Sequence, residues 1–129
     1  MELKKYQHLI IDDLQNFLRL LNEERNISLA YEKHWAAKGF PISSSDFNGM
    51  PPYKSTIPQC PHVCIKVPTG GGKTFLACNA LSSIYNYLKT QNRLVVWLVP
   101  STSILEQTLK NLKNPTHPYR QKLNKSFSF

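Results

Sequence analysis

Three consecutive glycines followed by a lysine and a threonine, within residues 69–74, are the residues of this sequence best suited to chemistry. Gly70, Gly71 and Gly72 permit positive φ angles and let the backbone approach a ligand closely. Successive N–H groups of such a turn, with the N-terminus of a following helix, form a cradle for phosphate. Lys73 is placed to reach the β- and γ-phosphates, and the Thr74 hydroxyl is placed to ligate Mg²⁺. The segment therefore predicts a nucleotide phosphate site.

The spacing departs at one position from the usual phosphate-loop pattern, G-x-x-x-x-G-K-S/T. Val67 occupies the place of the first glycine, whereas Gly72, Lys73 and Thr74 match. The competing interpretation is a glycine-rich hairpin with an accidental lysine. That alternative does not account for the strand pattern before the loop or the helix pattern after it.

The elements around the loop predict an α/β fold. Residues 62–67 (HVCIKV) are rich in β-branched side chains, and residues 93–100 (RLVVWLVP) form a nearly continuous apolar run typical of a buried parallel strand. Residues 73–92 and 101–113 carry helical spacing of their apolar side chains. The order strand, loop, helix, strand, helix implies a right-handed crossover and a parallel sheet. No closing element is predicted after residue 113.

The N-terminal half has a different organisation. Apolar residues from Leu3 to Leu21 recur at spacings of three and four, which predicts an amphipathic helix. A second, shorter helix is expected, with Ser28 as the cap at its start and Gly39 at its end. The following segment is rich in proline and serine and predicts a connector. We therefore divide the chain into a helical segment (1–39), a connector (40–61) and a nucleotide-binding part (62–129).

The positive charge is concentrated after residue 65. The formal net charge is +8; residues 1–65 sum to zero, whereas residues 66–129 hold nine Lys or Arg and a single acid, Glu106. A basic half that also carries a phosphate loop indicates a polyanionic partner such as a nucleotide or nucleic acid. No stretch is long and apolar enough for a membrane span, and the N-terminus is unlike a secretory signal. A cytoplasmic location is the expectation.

The cysteines do not predict a disulfide or a metal site. There are three, Cys60, Cys64 and Cys78, an odd number in a chain with no export signal. The pattern C-P-H-V-C has no second ligand pair downstream, which makes it a weak zinc pattern.

Polar residues follow the second predicted strand, at Pro100, Ser101 and Thr102. Hydroxyls and free N–H groups at the start of a helix suit a nucleic-acid phosphate. On these residues alone, an ordinary serine cap of the helix is the better interpretation.

Four segments together resemble a known family: LKKYQ (3–7), VPTGGGKTF (67–75), WLVPSTSILEQTL (97–109) and KNPTHPYRQKL (113–123). They are similar to the start of a superfamily 2 DEAD/DEAH-box helicase-type ATPase, and most similar to the Res subunit of type III restriction enzymes. The lead-in Pro68-Thr69 also matches this family's variant of the phosphate loop. The resemblance covers most of residues 1–25 and 62–123.

The resemblance implies an incomplete RecA-like parallel sheet and an ATP-dependent DNA translocase of a restriction-modification system. It implies ATP and Mg²⁺ as cofactors, double-stranded DNA as a partner, and a methyltransferase subunit and an endonuclease function in the parent enzyme. Tyr6 and Gln7 resemble the adenine-reading Q-motif, with Gln7 pairing the base edge. Gly70 to Thr74 resemble motif I, with Thr69 beside them as a further nucleotide-binding residue, and Pro100 to Thr102 resemble motif Ia, which grips the DNA backbone. Without the resemblance, Tyr6 and Gln7 are a plain pair on an amphipathic helix.

Hydrolysis needs carboxylates that this chain does not offer in a suitable place. Phosphoryl transfer uses acidic residues on the metal and near the attacking water, and after Thr74 the only acid is Glu106, within a helical pattern. Asp12 and Asp13 precede the loop and belong to a solvated helix face. We therefore expect the N-terminal part of a motor, inactive in hydrolysis by itself and with an unfinished sheet edge. The alternatives are a phosphate-loop ATPase or kinase that does not act on DNA, and a non-catalytic nucleotide-binding remnant.

Overall fold

The computed structural model describes residues 1–43, 49–89 and 92–128, and within them the secondary structure is helical. The helices are α1 (Lys5–Glu24), α2 (Ile27–Ala37), α3 (Lys73–Leu88), α4 (Thr102–Lys113) and α5 (Pro118–Asn124). The chain divides into two compact units. One unit comprises Met1–Ile11 and Val67–Phe129, and the other comprises Asp12–Lys66.

The unit of residues 12–66 contains most of α1 and all of α2, and a small buried cluster draws on both helices. Phe17, Leu20 and Ala30 form a buried cluster, with Leu21 and Tyr31 packed against it. Tyr31 also donates a hydrogen bond from its hydroxyl to the Pro51 carbonyl at 2.9 Å. This bond ties the connector to α2.

The unit of residues 1–11 and 67–129 is centred on α3. Phe75 stacks on Tyr119 of α5 with ring centroids 5.8 Å apart, and Tyr85 meets Phe127 edge-on at 4.9 Å. Cys78 lies between these aromatic pairs along α3 and is fully buried. These contacts hold α5 on the helix that begins at the predicted phosphate loop.

The predicted helices are confirmed, with local differences at their ends. The N-terminal amphipathic helix is α1, and the shorter helix is α2, although its cap is Asn26, whose side chain accepts from Leu29 N–H, and not Ser28. Gly39, with φ of +87°, follows the end of α2 as expected. Helix α3 ends at Leu88, and the part of the predicted helix at residues 90–91 lies outside the described residues. Helix α5 was not expected. The sequence feature that could have predicted its start is the proline at its first position, which follows the capping residue His117.

The predicted parallel sheet is wrong. Neither residues 62–67 nor residues 93–100 form a strand, and the only pairing among the described residues is an isolated bridge between Ile42 and Met50. Val63 is 55 % exposed, and Leu94 and Leu98 are each 86 % exposed.

The physical reason is that a strand is stable only when a neighbour accepts and donates its backbone hydrogen bonds. The two apolar segments belong mainly to different units, and the described residues offer neither of them a partner ladder. The apolar runs therefore belong to no strand. The N-terminal helical layer of the prediction is present, whereas the α/β sheet beside it is not.

A membrane span is likewise not found: none of the helices in the described part of the chain has both the length and the apolar character to cross a bilayer.

Candidate phosphate-binding loop

The predicted phosphate loop forms a tight turn that leads directly into α3. The Gly71 N–H donates to the Pro68 carbonyl at 3.0 Å, which closes the turn. Gly70 and Gly72 have φ angles of +77° and +71°, in the left-handed region that disfavours residues with a Cβ. The glycines thus give the loop a backbone conformation that other residues would strain.

The N-terminus of α3 lacks the side-chain cap that other helices of the chain have. Asn26, Ser101 and His117 each accept a hydrogen bond at the start of α2, α4 and α5. The residue at the corresponding position of α3 is Gly72, which has no side chain to do so. The first N–H groups of a helix have no acceptor within the helix, so this end of α3 suits an external anion.

Lys73 and Thr74 are the first residues of α3. The Lys73 side chain is exposed, and its Nζ donates to the Pro68 carbonyl at 3.2 Å. The ammonium group therefore folds back over the turn that Gly71 closes. Thr74 is half-buried, and Thr69 is exposed at the tip of the loop.

Tyr6 and Gln7 of α1 bind the loop through a single acceptor, the carbonyl of Gly71. The Tyr6 hydroxyl donates to it at 2.7 Å, and Gln7 Nε2 donates to it at 2.9 Å. Gln7 Oε1 accepts from the Lys4 backbone N–H at 2.9 Å. Gln7 is only 4 % exposed. Both ends of its amide are engaged within the protein.

The glycines also permit close packing against these residues. A Cβ on Gly72 would lie 2.7 Å from Gln7 Nε2, and a Cβ on Gly71 would lie 2.4 Å from a methyl group of Val67. A Cβ on Gly70 would meet nothing within 4 Å. Gly72 is therefore required both for its φ angle and for the approach of Gln7, whereas Gly70 is required for its φ angle alone.

The predicted DNA-binding residues occupy the start of α4. Pro100, Ser101 and Thr102 are exposed, and the Ser101 Oγ accepts from the Ile104 N–H at 3.4 Å. Ser101 therefore acts as the helix cap. Among the described residues, no hydrogen bond joins this segment to the phosphate loop.

The acidic residues do not assemble near the loop. Asp12 is exposed, and Asp13 forms an ion pair with Lys38 at 2.7 Å and lies 3.4 Å from His34 Nε2. Glu106 is exposed on α4. Within the part of the chain that the structure describes, no three His, Cys, Asp or Glu side chains are grouped to hold a metal ion. This includes the C-P-H-V-C segment, where His62 contacts the Tyr53 hydroxyl at 3.0 Å.

Neighbouring side chains complete the surroundings of α3. A cleft of about 570 Å³ is lined by side chains that include His8, Phe75, Asn79 and Lys122. Burial raises the pKa of the Cys78 thiol to about 11, so this cysteine is a packing residue and not a nucleophile.

The hydrogen bonds from Tyr6 and Gln7 to the Gly71 carbonyl could not be predicted from the sequence, because the donors and the acceptor lie more than sixty positions apart.

Comparison with known proteins gives one family. The family model described as "Type III restriction enzyme, res subunit" matches residues 1–128, a range that includes the phosphate loop, Gln7 and residues 100–102. Comparisons with curated proteins and with solved structures give no match.

Proposed function

The chain belongs to the type III restriction enzyme Res subunit family, and on that premise we propose that it binds the phosphates of ATP through residues 69–74. The coarse assignment is a helicase-like ATPase region of a restriction system. The observation that carries the proposal is the N-terminus of α3, which has Gly72 in place of a capping side chain and Lys73 as the first helical residue.

The residues of the loop have distinct roles in this proposal. Gly70 and Gly72 give the backbone its left-handed turns, and the N–H groups at the start of α3 donate to phosphate oxygens. Lys73 exchanges the Pro68 carbonyl, its present acceptor at 3.2 Å, for the β- and γ-phosphates. Because a carbonyl carries only a partial charge, a phosphate is the stronger partner for an ammonium group.

The groups that the loop and the start of α3 offer are better suited to binding phosphates than to holding a metal ion by themselves. Mg²⁺ prefers oxygen ligands and is commonly held by one or two carboxylates together with substrate phosphates. Here Thr74 offers a hydroxyl, and the one acid that follows it in the sequence, Glu106, lies on α4. Thr74 would therefore hold Mg²⁺ jointly with the nucleotide, and the ion would supply neutralisation of the phosphate charge.

The same proposal extends to DNA. Residues 66–129 carry the whole net charge of +8, and such a basic segment attracts a polyanion in a salt-dependent way. Pro100, Ser101 and Thr102 are exposed at the start of α4, where backbone N–H groups suit a DNA phosphate. Double-stranded DNA is the proposed partner, and a methyltransferase subunit is proposed as the partner of the parent enzyme. The function proposed for this chain is binding, because phosphoryl transfer uses carboxylates beside the metal and the one acid after Thr74, Glu106, lies on α4.

The test is ATP binding by the Lys73→Ala variant. Removing a charged donor from a phosphate site costs about 1.5–3 kcal/mol, which corresponds to a loss of affinity of about tenfold or more. The Lys110→Ala variant is the matched control, because it removes one exposed lysine from α4 and leaves the loop intact. Equal affinities of the two variants for ATP, measured by titration with a fluorescent ATP analogue, would contradict the proposal.

DNA binding needs its own measurement. A short duplex should bind the chain with an affinity that falls steeply as salt is raised, and the Thr102→Ala variant should bind it more weakly than the Lys73→Ala variant does. Duplex binding that is unaffected by salt would contradict the proposal of DNA binding, and it would not affect the proposal of ATP binding.

A further inference from the structure

We infer that Tyr119 of α5 is a positioning residue of the phosphate site, which acts through Phe75 on the first turn of α3. The inference rests on the proposed function, because that turn is where the nucleotide phosphates are proposed to bind. The Tyr119 and Phe75 rings are stacked, with centroids 5.8 Å apart and an angle of 24° between their planes.

Phe75 belongs to the turn of α3 that is proposed to meet the ligand. Lys73, Thr74 and Phe75 are the first three residues of this helix, and the first N–H groups of a helix have no acceptor within the helix. The Leu76 N–H donates to the Gly72 carbonyl at 2.9 Å, and the hydrogen bonds internal to the helix begin there. The N–H of Phe75 is therefore the last of the amides that a phosphate at the start of α3 would share.

Two contacts fix the position of Phe75. Its side chain is 6 % exposed, and its ring packs on Tyr119. Its carbonyl accepts from Nδ2 of Asn79, which is also buried, at 2.8 Å. Because the side chains of a helix lean toward its N-terminus, the Phe75 ring lies beside the turn that precedes its own α-carbon. A displacement of this ring would therefore displace the N–H groups that are proposed to donate to phosphate.

Tyr119 is itself held in place by contacts within α5 and with α4. His117 caps α5, with Nδ1 accepting from the Tyr119 N–H at 3.2 Å, and its ring meets the Tyr119 ring edge-on at 4.5 Å. The neighbouring Arg120 donates from Nη1 to the Leu112 carbonyl, in the last turn of α4, at 2.8 Å. These contacts fix the Tyr119 ring where it packs against Phe75.

A second aromatic pair on α3 supplies the control. Tyr85, in the last turn of α3, meets Phe127 edge-on at 4.9 Å. Tyr85 follows Phe75 by ten positions, which is about 15 Å along the helix axis. Tyr119 and Phe127 are both half-buried, so the loss of either ring removes a comparable contact from α3. Only the loss of the Tyr119 ring reaches the turn that holds the phosphate donors.

Binding of inorganic tripolyphosphate and of ATP, measured by isothermal titration calorimetry, tests this role. Tyr119→Leu replaces the flat ring by a branched side chain, and it is expected to weaken the binding of both ligands several-fold and by the same factor. Tyr119→Phe keeps the ring and should bind both ligands as the unmodified chain does. Phe127→Leu should also leave both affinities unchanged. Equal losses in Tyr119→Leu and Phe127→Leu, or no loss in Tyr119→Leu, would overturn the inference.

A second variant covers the case in which Tyr119→Leu does not fold. His117→Asn keeps a side chain that can cap α5 and removes the imidazole ring from the edge of Tyr119. It should weaken the binding of tripolyphosphate and of ATP equally, by a smaller factor than Tyr119→Leu. Unchanged affinities in His117→Asn would overturn the inference.

A spectroscopic readout distinguishes positioning of the turn from general destabilisation. The chain has six phenylalanines, so ¹⁵N-phenylalanine labelling gives at most six backbone amide signals. Saturating tripolyphosphate should shift the Phe75 signal by the same amount in the unmodified chain, in Tyr119→Phe and in Phe127→Leu. The shift should be smaller in Tyr119→Leu, because the Phe75 N–H no longer lies where the phosphate binds. An identical shift in all four proteins would overturn the inference.

The two proposals fail in different ways. If the phosphate site itself is wrong, Lys73→Ala will leave the affinity for tripolyphosphate unchanged. If only the role of Tyr119 is wrong, Lys73→Ala will weaken tripolyphosphate binding, and Tyr119→Leu will bind tripolyphosphate as Phe127→Leu does.

Discussion

Replacing Gly72 by alanine tests the packing between α1 and the phosphate loop. Gly72 has φ of +71°, and a Cβ there would lie 2.7 Å from Gln7 Nε2. A left-handed conformation costs a residue with a Cβ about 1–2 kcal/mol. Displacing Gln7 also weakens its bond to the Gly71 carbonyl, and a hydrogen bond of this kind contributes about 0.5–1.5 kcal/mol net. The expected total destabilisation is about 1.5–3.5 kcal/mol.

Gly70→Ala is the matched control, because Gly70 has a similar φ of +77° and open space around a new Cβ. It should show the conformational penalty alone, so that Gly72→Ala is the less stable of the two by about 1 kcal/mol. Urea unfolding followed by far-ultraviolet circular dichroism measures this difference. With a typical slope of about 1–3 kcal/mol per molar urea, the midpoints should differ by about 0.3–1 M.

A double-mutant cycle assigns the difference to Gln7. In a Gln7→Ala background, the alanine at position 72 has no amide to displace, and the two glycine variants should become equally stable. Equal midpoints in the unmodified background would refute the reasoning. So would a gap that persists unchanged when Gln7 is absent.

Two further predictions concern groups outside the loop. Acidification from about pH 8 to about pH 5.5 should destabilise the unit of residues 12–66, because burial lowers the pKa of His34 below its ordinary value of 6.5. The unfolded chain then binds the proton at a higher pH than the folded chain, so stability falls as the pH drops through 6.5 toward the folded pKa. The thermal unfolding of His34→Gln should depend less on pH in this range. For the thiols, Cys60 and Cys64 are exposed and should react with a thiol reagent in the native chain. The buried Cys78, with its pKa raised to about 11, should react only after unfolding.

A specific result would contradict each of these two predictions. A His34→Gln profile that parallels the unmodified chain between about pH 8 and 5.5 would show that His34 does not cause the pH dependence. Rapid reaction of all three thiols without urea would show that Cys78 is accessible, and a Cys78→Ala variant would identify the reacting group by losing that reaction.

The loop was predictable because its signal is local. Gly70, Gly72 and Lys73 lie within four residues, and the left-handed φ angles follow from the lack of a Cβ. The start of α4 at Ser101 was predictable for the same reason, since a cap acts over three residues. The contact of Gln7 with the loop was not predictable, because its acceptor, the Gly71 carbonyl, is sixty-four residues away in the sequence.

The sequence by itself determined helices α1 to α4 and the glycine turn before α3, since helix periodicity, caps and glycine turns depend on residues a few positions apart. Tertiary structure decided the rest. Residues 93–100 have the composition of a buried strand, yet Leu94 and Leu98 are 86 % exposed, because a strand depends on a partner ladder that its own residues cannot supply. The attachment of α5 to α3 through Tyr119 and Phe75, and the turning of the Gly71 carbonyl toward Tyr6 and Gln7, likewise depend on contacts between distant parts of the chain.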